Sequence, residues 1–210
     1  MPDFAALREA MVERHIRARG IDDPAILAAF RAVPREAFID DRLAPYAYDD
    51  GPLPIGSGQT ISQPYIVALM IAAAGVKAGD TVLEVGAGSG YAAAVISRIA
   101  KKVIAIERMT ELARTARKRM TDLAIDNVEV LVGDGTAGWP REAPYHSIVV
   151  AAAGEIPEPL IKQLAPGGRL VMPVGTVHGI QELVKVTKRE DGSLQYSALG
   201  SVRFVPLIAG

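Results

Sequence analysis

Thr81–Val95 reads TVLEVGAGSGYAAAV, an apolar run that passes through Gly86, Gly88 and Gly90 into an alanine-rich stretch. A short apolar segment ending in glycine has the pattern of a buried strand, and Tyr91–Ala100 beyond it has the pattern of a helix. Glycines between strand and helix let the backbone turn sharply. They also let a ligand approach the amides at the helix start. Lys102–Glu107 (KVIAIE) is a second strand, and its last residue lies about 20 residues beyond the loop. An acidic side chain there can accept hydrogen bonds from two ribose hydroxyls.

Outward from this core the pattern keeps alternating. Thr110–Leu123 is a helix, Val128–Val132 a third strand, Ser147–Ala151 a fourth, Pro159–Leu164 a helix and Gly168–Pro173 a fifth strand. Glu182–Lys188 and Gly200–Pro206 are expected to close the chain as antiparallel strands. Upstream, Pro64–Ala74 reads as a helix, and Asp23-Pro24 opens another that runs to about Ala32. Residues 4–19 space Phe4, Leu7, Met11 and Ile16 as one amphipathic helix. Arg42–Gln63 has no clean period, and a long irregular stretch inside a domain is usually functional or disordered. Strands separated by helices predict an α/β fold with a doubly wound, mainly parallel sheet and an N-terminal helical subdomain. We expect a single domain over residues 1–210. Residues 1–63 supply N-terminal helices and a substrate-side loop, and residues 64–210 form the nucleotide-binding core.

The loop discriminates between cofactors. The dinucleotide fingerprint G-x-G-x-x-G, counted from Gly86, would need a third glycine where Tyr91 stands. The spacing here is G-x-G-x-G, and Glu84 precedes the first glycine by two residues. A carboxylate there would repel a pyrophosphate but suit a cationic methionine moiety. The residues therefore favour S-adenosylmethionine over NAD, with Glu84, Gly86, Gly88, Ser89, Gly90 and Glu107 as the binding set. Gly133-Asp134-Gly135 follows the third strand at the sheet edge where ligands bind. Asp134, with Gly135 beside it, reads equally as an acceptor for an adenine amino group or as a turn residue.

Composition narrows the classes further. Lys and Arg number 23 against 24 Asp and Glu, so no global field gathers a polyanion. The absence of cysteine excludes disulfides and thiolate chemistry. The longest apolar run, Ile66–Val76, is too short to span a bilayer, and the first 20 residues lack the apolar core of a signal peptide. The expectation is a cytoplasmic monomer that holds no metal and engages neither nucleic acid nor membrane. His15, His146 and His178 are far apart in sequence and read as structural or solvated residues.

GSGQTISQPYIVALM (Gly56–Met70) resembles the signature of the protein-L-isoaspartate O-methyltransferases. The likeness continues through AVPREAFI (Ala32–Ile39), LPIG (Leu53–Gly56), VLEVGAGSGYAAAV (Val82–Val95), GDG with GW (Gly133–Trp139), IPEPLIKQLAPGGRLVMPVG (Ile156–Gly175) and VRFVPL (Val202–Leu207). The resemblance implies a seven-stranded methyltransferase fold and methylation of L-isoaspartyl carboxylates in damaged proteins and peptides. It also implies that Ser62 is the active-site residue, with Thr60 and Gln63 nearby on the substrate side. From the residues alone, Ser62 reads instead as a helix N-cap, and the two roles are compatible. The Pro/Gly segment Tyr46–Gly58 becomes a lid or wall for an extended peptide. Where the family usually carries an aspartate after an aromatic, this chain has Pro144-Tyr145-His146. That departure lies at the amino end of a strand, so a structural consequence with little loss of activity is expected. Two other acceptors remain as alternatives: aspartate in a dedicated peptide, which would call for an added recognition domain, and nucleic acid, which would call for a basic face with stacking aromatics.

Overall fold

The computed structural model describes residues 2–176 and 179–209; His178 lies outside them. Seven strands form one sheet in the order β5-β4-β3-β6-β7-β8-β9. Their ranges are β3 Thr81–Val85, β4 Lys102–Glu107, β5 Val128–Val132, β6 Tyr145–Val150, β7 Leu164–Val174, β8 Gln181–Lys188 and β9 Leu194–Val202. The first five run parallel, β8 runs antiparallel to β7, and β9 pairs antiparallel with β8, so it runs in the direction of the first five. β3 pairs with β4 on one side and β6 on the other, which makes its carboxyl end the point where chain direction across the sheet reverses. Ligands bind at such a point in open α/β sheets.

Period-2 alternation divides the sheet's apolar residues between two cores. Val82, Val103, Ala105 and Val149 face one side, where helices α1 (Phe4–Met11), α2 (Pro24–Ala32), α3 (Pro64–Ala74), α4 (Tyr91–Ser97) and α5 (Thr110–Asp122) pack. Leu83, Val85, Ile104 and Ile148 face the other, against Leu160 of α6 (Glu158–Lys162) and Trp139. With both faces covered, β3 and β4 are buried almost throughout, as their continuous apolar runs require.

Several elements differ from the sequence reading for local reasons. The single helix expected over residues 4–19 is α-helical only to Met11, continues as a π-turn over Val12–Ile16 and a 3₁₀ turn over Arg17–Arg19, and stops at Gly20 with φ 91°. The stretch without period contains a hairpin, β1 (Leu53–Gly56) and β2 (Gln59–Ile61). Its turn residues Ser57 and Gly58 both have positive φ, the geometry that closes tight hairpins. The last strand is Leu194–Val202 and not Gly200–Pro206. It forms the sheet edge with a mostly exposed pattern, so its period is weak. After it the chain leaves the sheet: the Gln181 side chain clamps the Phe204 backbone with bonds of 3.1 and 2.6 Å. Val205 and Leu207 then bond to Ala153 across the strand ends.

Candidate active site

The carboxyl ends of β3 and β4, hairpin strand β2 and the C-terminal segment enclose a cleft of about 930 Å³, counted to its open mouth. Gly86, Gly88, Ser89 and Tyr91 form one wall, and Glu107, Arg108 and Met109 flank it. Thr60 and Ser62 line the same cleft, as do Val205–Ile208. Gly88 has φ 53°, and a Cβ added there would lie 3.3 Å from Ile55 Cδ1 in the hairpin. The hairpin ribbon thus sits directly on the glycine loop. Gly135 closes the floor, where a Cβ would meet Val85 Cγ1 at 2.3 Å.

Glu107 shapes the loop as well as facing the cleft. Its Oε2 accepts from the Gly88 N–H and its Oε1 from the Met109 N–H, both at 2.8 Å. Each oxygen keeps a second lone pair for a ligand hydroxyl. Ser89 accepts the Tyr91 N–H through its hydroxyl, and its carbonyl accepts from Arg119 Nη1 at 3.1 Å. Glu84 is buried, and its Oε2 has no hydrogen-bond partner. Burial, reinforced by the Glu107 charge, pushes its carboxyl up to about 8. A buried carboxyl with one unpartnered oxygen on a cleft wall fits a cationic ligand group, because such a group would favour the ionised form and offset its desolvation cost. This set matches a methyl donor that carries an ammonium and a sulfonium beside a ribose.

The model of one family, described as protein-L-isoaspartate(D-aspartate) O-methyltransferase, matches residues 6–210. The chain belongs to this family. A protein-L-isoaspartate O-methyltransferase from Methylorubrum extorquens is 56% identical over the whole chain and 92% of its own length. Another, from Rhodopseudomonas palustris, is 56% identical over 98% of this chain and 84% of the relative. A solved protein-L-isoaspartate O-methyltransferase superposes with a TM-score of 0.87 at 31% identity, covering 95% of this chain and 65% of that longer one. A second solved structure, a Plasmodium falciparum family member in complex with S-adenosyl-L-homocysteine, gives 0.82 at 26% identity, covering 96% and 98%.

Of the family-site residues expected from sequence, Thr60, Ser62, Glu84, Gly86, Gly88, Ser89, Glu107 and Gly135 all line the cleft. Gly90, Gln63 and Asp134 do not. Gly90 (φ 87°) starts α4 behind the loop, where a Cβ would strike Met120 Cε at 2.7 Å. Asp134 Oδ1 accepts from the Thr136 N–H at 2.8 Å and the Thr136 hydroxyl at 2.7 Å, so the turn role is built in. The capping role read for Ser62 is corrected: Gln63 is the N-cap of α3, without a side-chain cap bond. Among the described residues no hydrogen bond engages the Ser62 hydroxyl, which leaves it available to a ligand. Arg108, Met109 and Val205–Ile208 were not anticipated as site residues. Val205, Pro206 and Leu207 belong to the quoted VRFVPL segment and Ile208 follows it, but only the chain's departure from the sheet brings them to the cleft.

Proposed function

We propose that the chain transfers a methyl group from S-adenosylmethionine to the free α-carboxylate of L-isoaspartyl residues, whose main chain runs through the β-carbonyl, in damaged proteins and peptides. The observation that carries this is the juxtaposition, in a chain of this family, of the Glu84–Glu107 glycine-loop wall with the free hydroxyl of Ser62 in one cleft. Glu107 would take the ribose hydroxyls, Glu84 would face the cationic methionine end, and the glycine-loop amides would approach the ligand. The bound donor supplies an electrophilic methyl group on a sulfonium.

The remaining work falls to the chain's own residues. The acceptor carboxylate has a pKa of roughly 4 and is already nucleophilic at neutral pH, so it needs orientation more than deprotonation. Ser62 can donate a hydrogen bond to one carboxylate oxygen and aim the other's lone pair toward the donor. The apolar segment Val205–Leu207 and Ile61 shield that line from water. Transfer gives a methyl ester, whose alkoxide is a better leaving group. Attack by the neighbouring backbone amide then expels methanol and closes a succinimide. Hydrolysis of the succinimide returns part of the material to normal aspartate without further help from the enzyme.

We further propose that residues 1–210 work as one domain and one monomer. Residues 1–63 would bring the acceptor side to the core of residues 64–210. The near balance of acidic and basic residues supports a protein acceptor over a nucleic acid. No described helix is long and apolar enough to cross a membrane, and no group of three or more His, Cys, Asp or Glu among the described residues could hold a metal ion. Transfer of labelled methyl to paired peptides that differ only in isoaspartyl versus aspartyl linkage tests the function. Label should enter the isoaspartyl peptide alone, and equal labelling would overturn the assignment.

A further inference from the structure

Arg35 is fully buried in the N-terminal subdomain, yet among the described residues no carboxylate lies at ion-pair distance from it. Its Nε donates to the Ala47 carbonyl at 2.7 Å and its Nη2 to the Gly51 carbonyl at 3.4 Å. These two carbonyls bracket the turn that leads into hairpin β1–β2 and so to Thr60 and Ser62. The guanidinium also lies 4.9 Å from the ring centroid of Tyr91, the first residue of α4 and part of the cleft wall. Phe30 and Phe38 enclose the same ring at 6.2 and 5.5 Å. Neither Arg35 Nη1 nor the Tyr91 hydroxyl completes a hydrogen bond, and Asp50 Oδ1 is likewise buried without a partner.

The path continues on the other side of the turn. Asp50 Oδ2 accepts from Arg19 Nη1 at 3.0 Å, and the Arg19 guanidinium covers the Tyr65 ring at 3.3 Å. Tyr65 sits in the first turn of α3, three residues after Ser62. A buried guanidinium with an unsatisfied nitrogen is a poor way to gain stability, since a well-packed apolar side chain of similar volume serves as well or better. What the planar fork does supply is a fixed spacing between two loop carbonyls and an aromatic ring.

We infer that Arg35 is a positioning residue for the acceptor: it ties the Ala47–Gly51 turn to Tyr91 and thereby sets where Thr60 and Ser62 stand relative to the donor. None of its atoms lines the cleft, so it acts through the loop and not on the reacting groups. The inference rests on the isoaspartyl reading above, because its readout is the acceptor peptide.

The test compares Arg35→Met, Arg35→Lys and Asp50→Asn with the parent chain by thermal midpoint, S-adenosylhomocysteine affinity, and KM and kcat on an isoaspartyl peptide. Arg35→Met should fold and hold S-adenosylhomocysteine within about threefold of the parent. Its KM for the peptide should rise at least about tenfold, the scale on which small misplacements act. Arg35→Lys, which keeps the charge but loses the fork, should fall between, and Asp50→Asn should move KM the same way by less. A residue that only supports the fold would lower the midpoint and leave KM unchanged in the protein that remains folded. That result, or loss of folding in both Arg35 variants, overturns the inference. A parent chain inactive on the isoaspartyl peptide would instead overturn the functional reading itself.

Discussion

The glycine loop and the Gln59–Ser62 ribbon line the same cleft, but they are held there by different means. The loop is pinned from below by parallel strands buried on both faces, and Glu107 fixes two of its neighbouring amides directly. The ribbon is a two-stranded hairpin apart from the main sheet, anchored by buried Ile61, by Ile55 against Gly88, and by the turn that Arg35 grips. An isolated hairpin is marginal in water, so this half of the cleft depends on its contacts with the other half. The donor wall should therefore tolerate little change in its acidic residues. The acceptor wall should tolerate changes in stability while losing turnover.

The largest expected effect falls on the donor wall. Glu107→Ala removes the proposed ribose acceptor, and two charge-assisted hydrogen bonds at roughly 1.5–3 kcal/mol each predict a loss of a hundredfold or more in S-adenosylmethionine affinity. Because the same carboxylate accepts from Gly88 and Met109, the unliganded protein should also melt lower, which a residue serving only the ligand would not cause. Calorimetry and a thermal melt on the variant check both effects.

A second test separates the walls by pH. Glu84 is raised from 4.5 to about 8 in the free protein by burial and by Glu107. A cation binds its ionised form better, so affinity for the sulfonium donor should climb by up to about tenfold per pH unit toward 8 and level off above. Stability runs the other way. The raised carboxyl favours the folded state fully below 4.5, and that contribution is lost as pH rises toward 8. Glu84→Gln should flatten both profiles. Peptide binding measured at saturating donor should not follow them.

How much of this was legible in sequence divides along the same line. The parallel strands announce themselves as unbroken apolar runs, and the glycine spacing with Glu84 and Glu107 gives the donor wall without any resemblance. The ribbon does not announce itself. Its strands hold four and three residues, too few for a period, and only the Ser57-Gly58 turn signals it. Thr60 and Ser62 were reached through family likeness alone. Val205–Ile208 stayed hidden because a side chain, Gln181, diverts the chain out of an expected strand. Arg35 reads in sequence as one more basic residue, since burial of a guanidinium leaves no local pattern.

The smallest effect lies away from both walls. His146 is the second residue of β6, at the amino edge of the sheet, largely exposed and 3.8 Å from the Asp80 carboxylate. His146→Asp restores the residue type usual in the family and sets two carboxylates side by side. It should cost no more than about 1 kcal/mol of stability, which added salt should reduce. Turnover should match the parent in a steady-state assay, since the cleft lies at the opposite edge.

The central claim is that Ser62 orients the acceptor, and it is tested most directly by kcat on an isoaspartyl peptide for Ser62→Ala and Ser62→Thr at saturating donor. Since Gln63 holds the cap position, neither variant should lose the ~1 kcal/mol of a missing N-cap, and both should melt and bind S-adenosylhomocysteine as the parent does. Turnover of Ser62→Ala should drop by about ten- to a hundredfold, and Ser62→Thr, which adds a methyl group in the cleft, should also be slow. Full turnover in both variants would contradict the account at its centre.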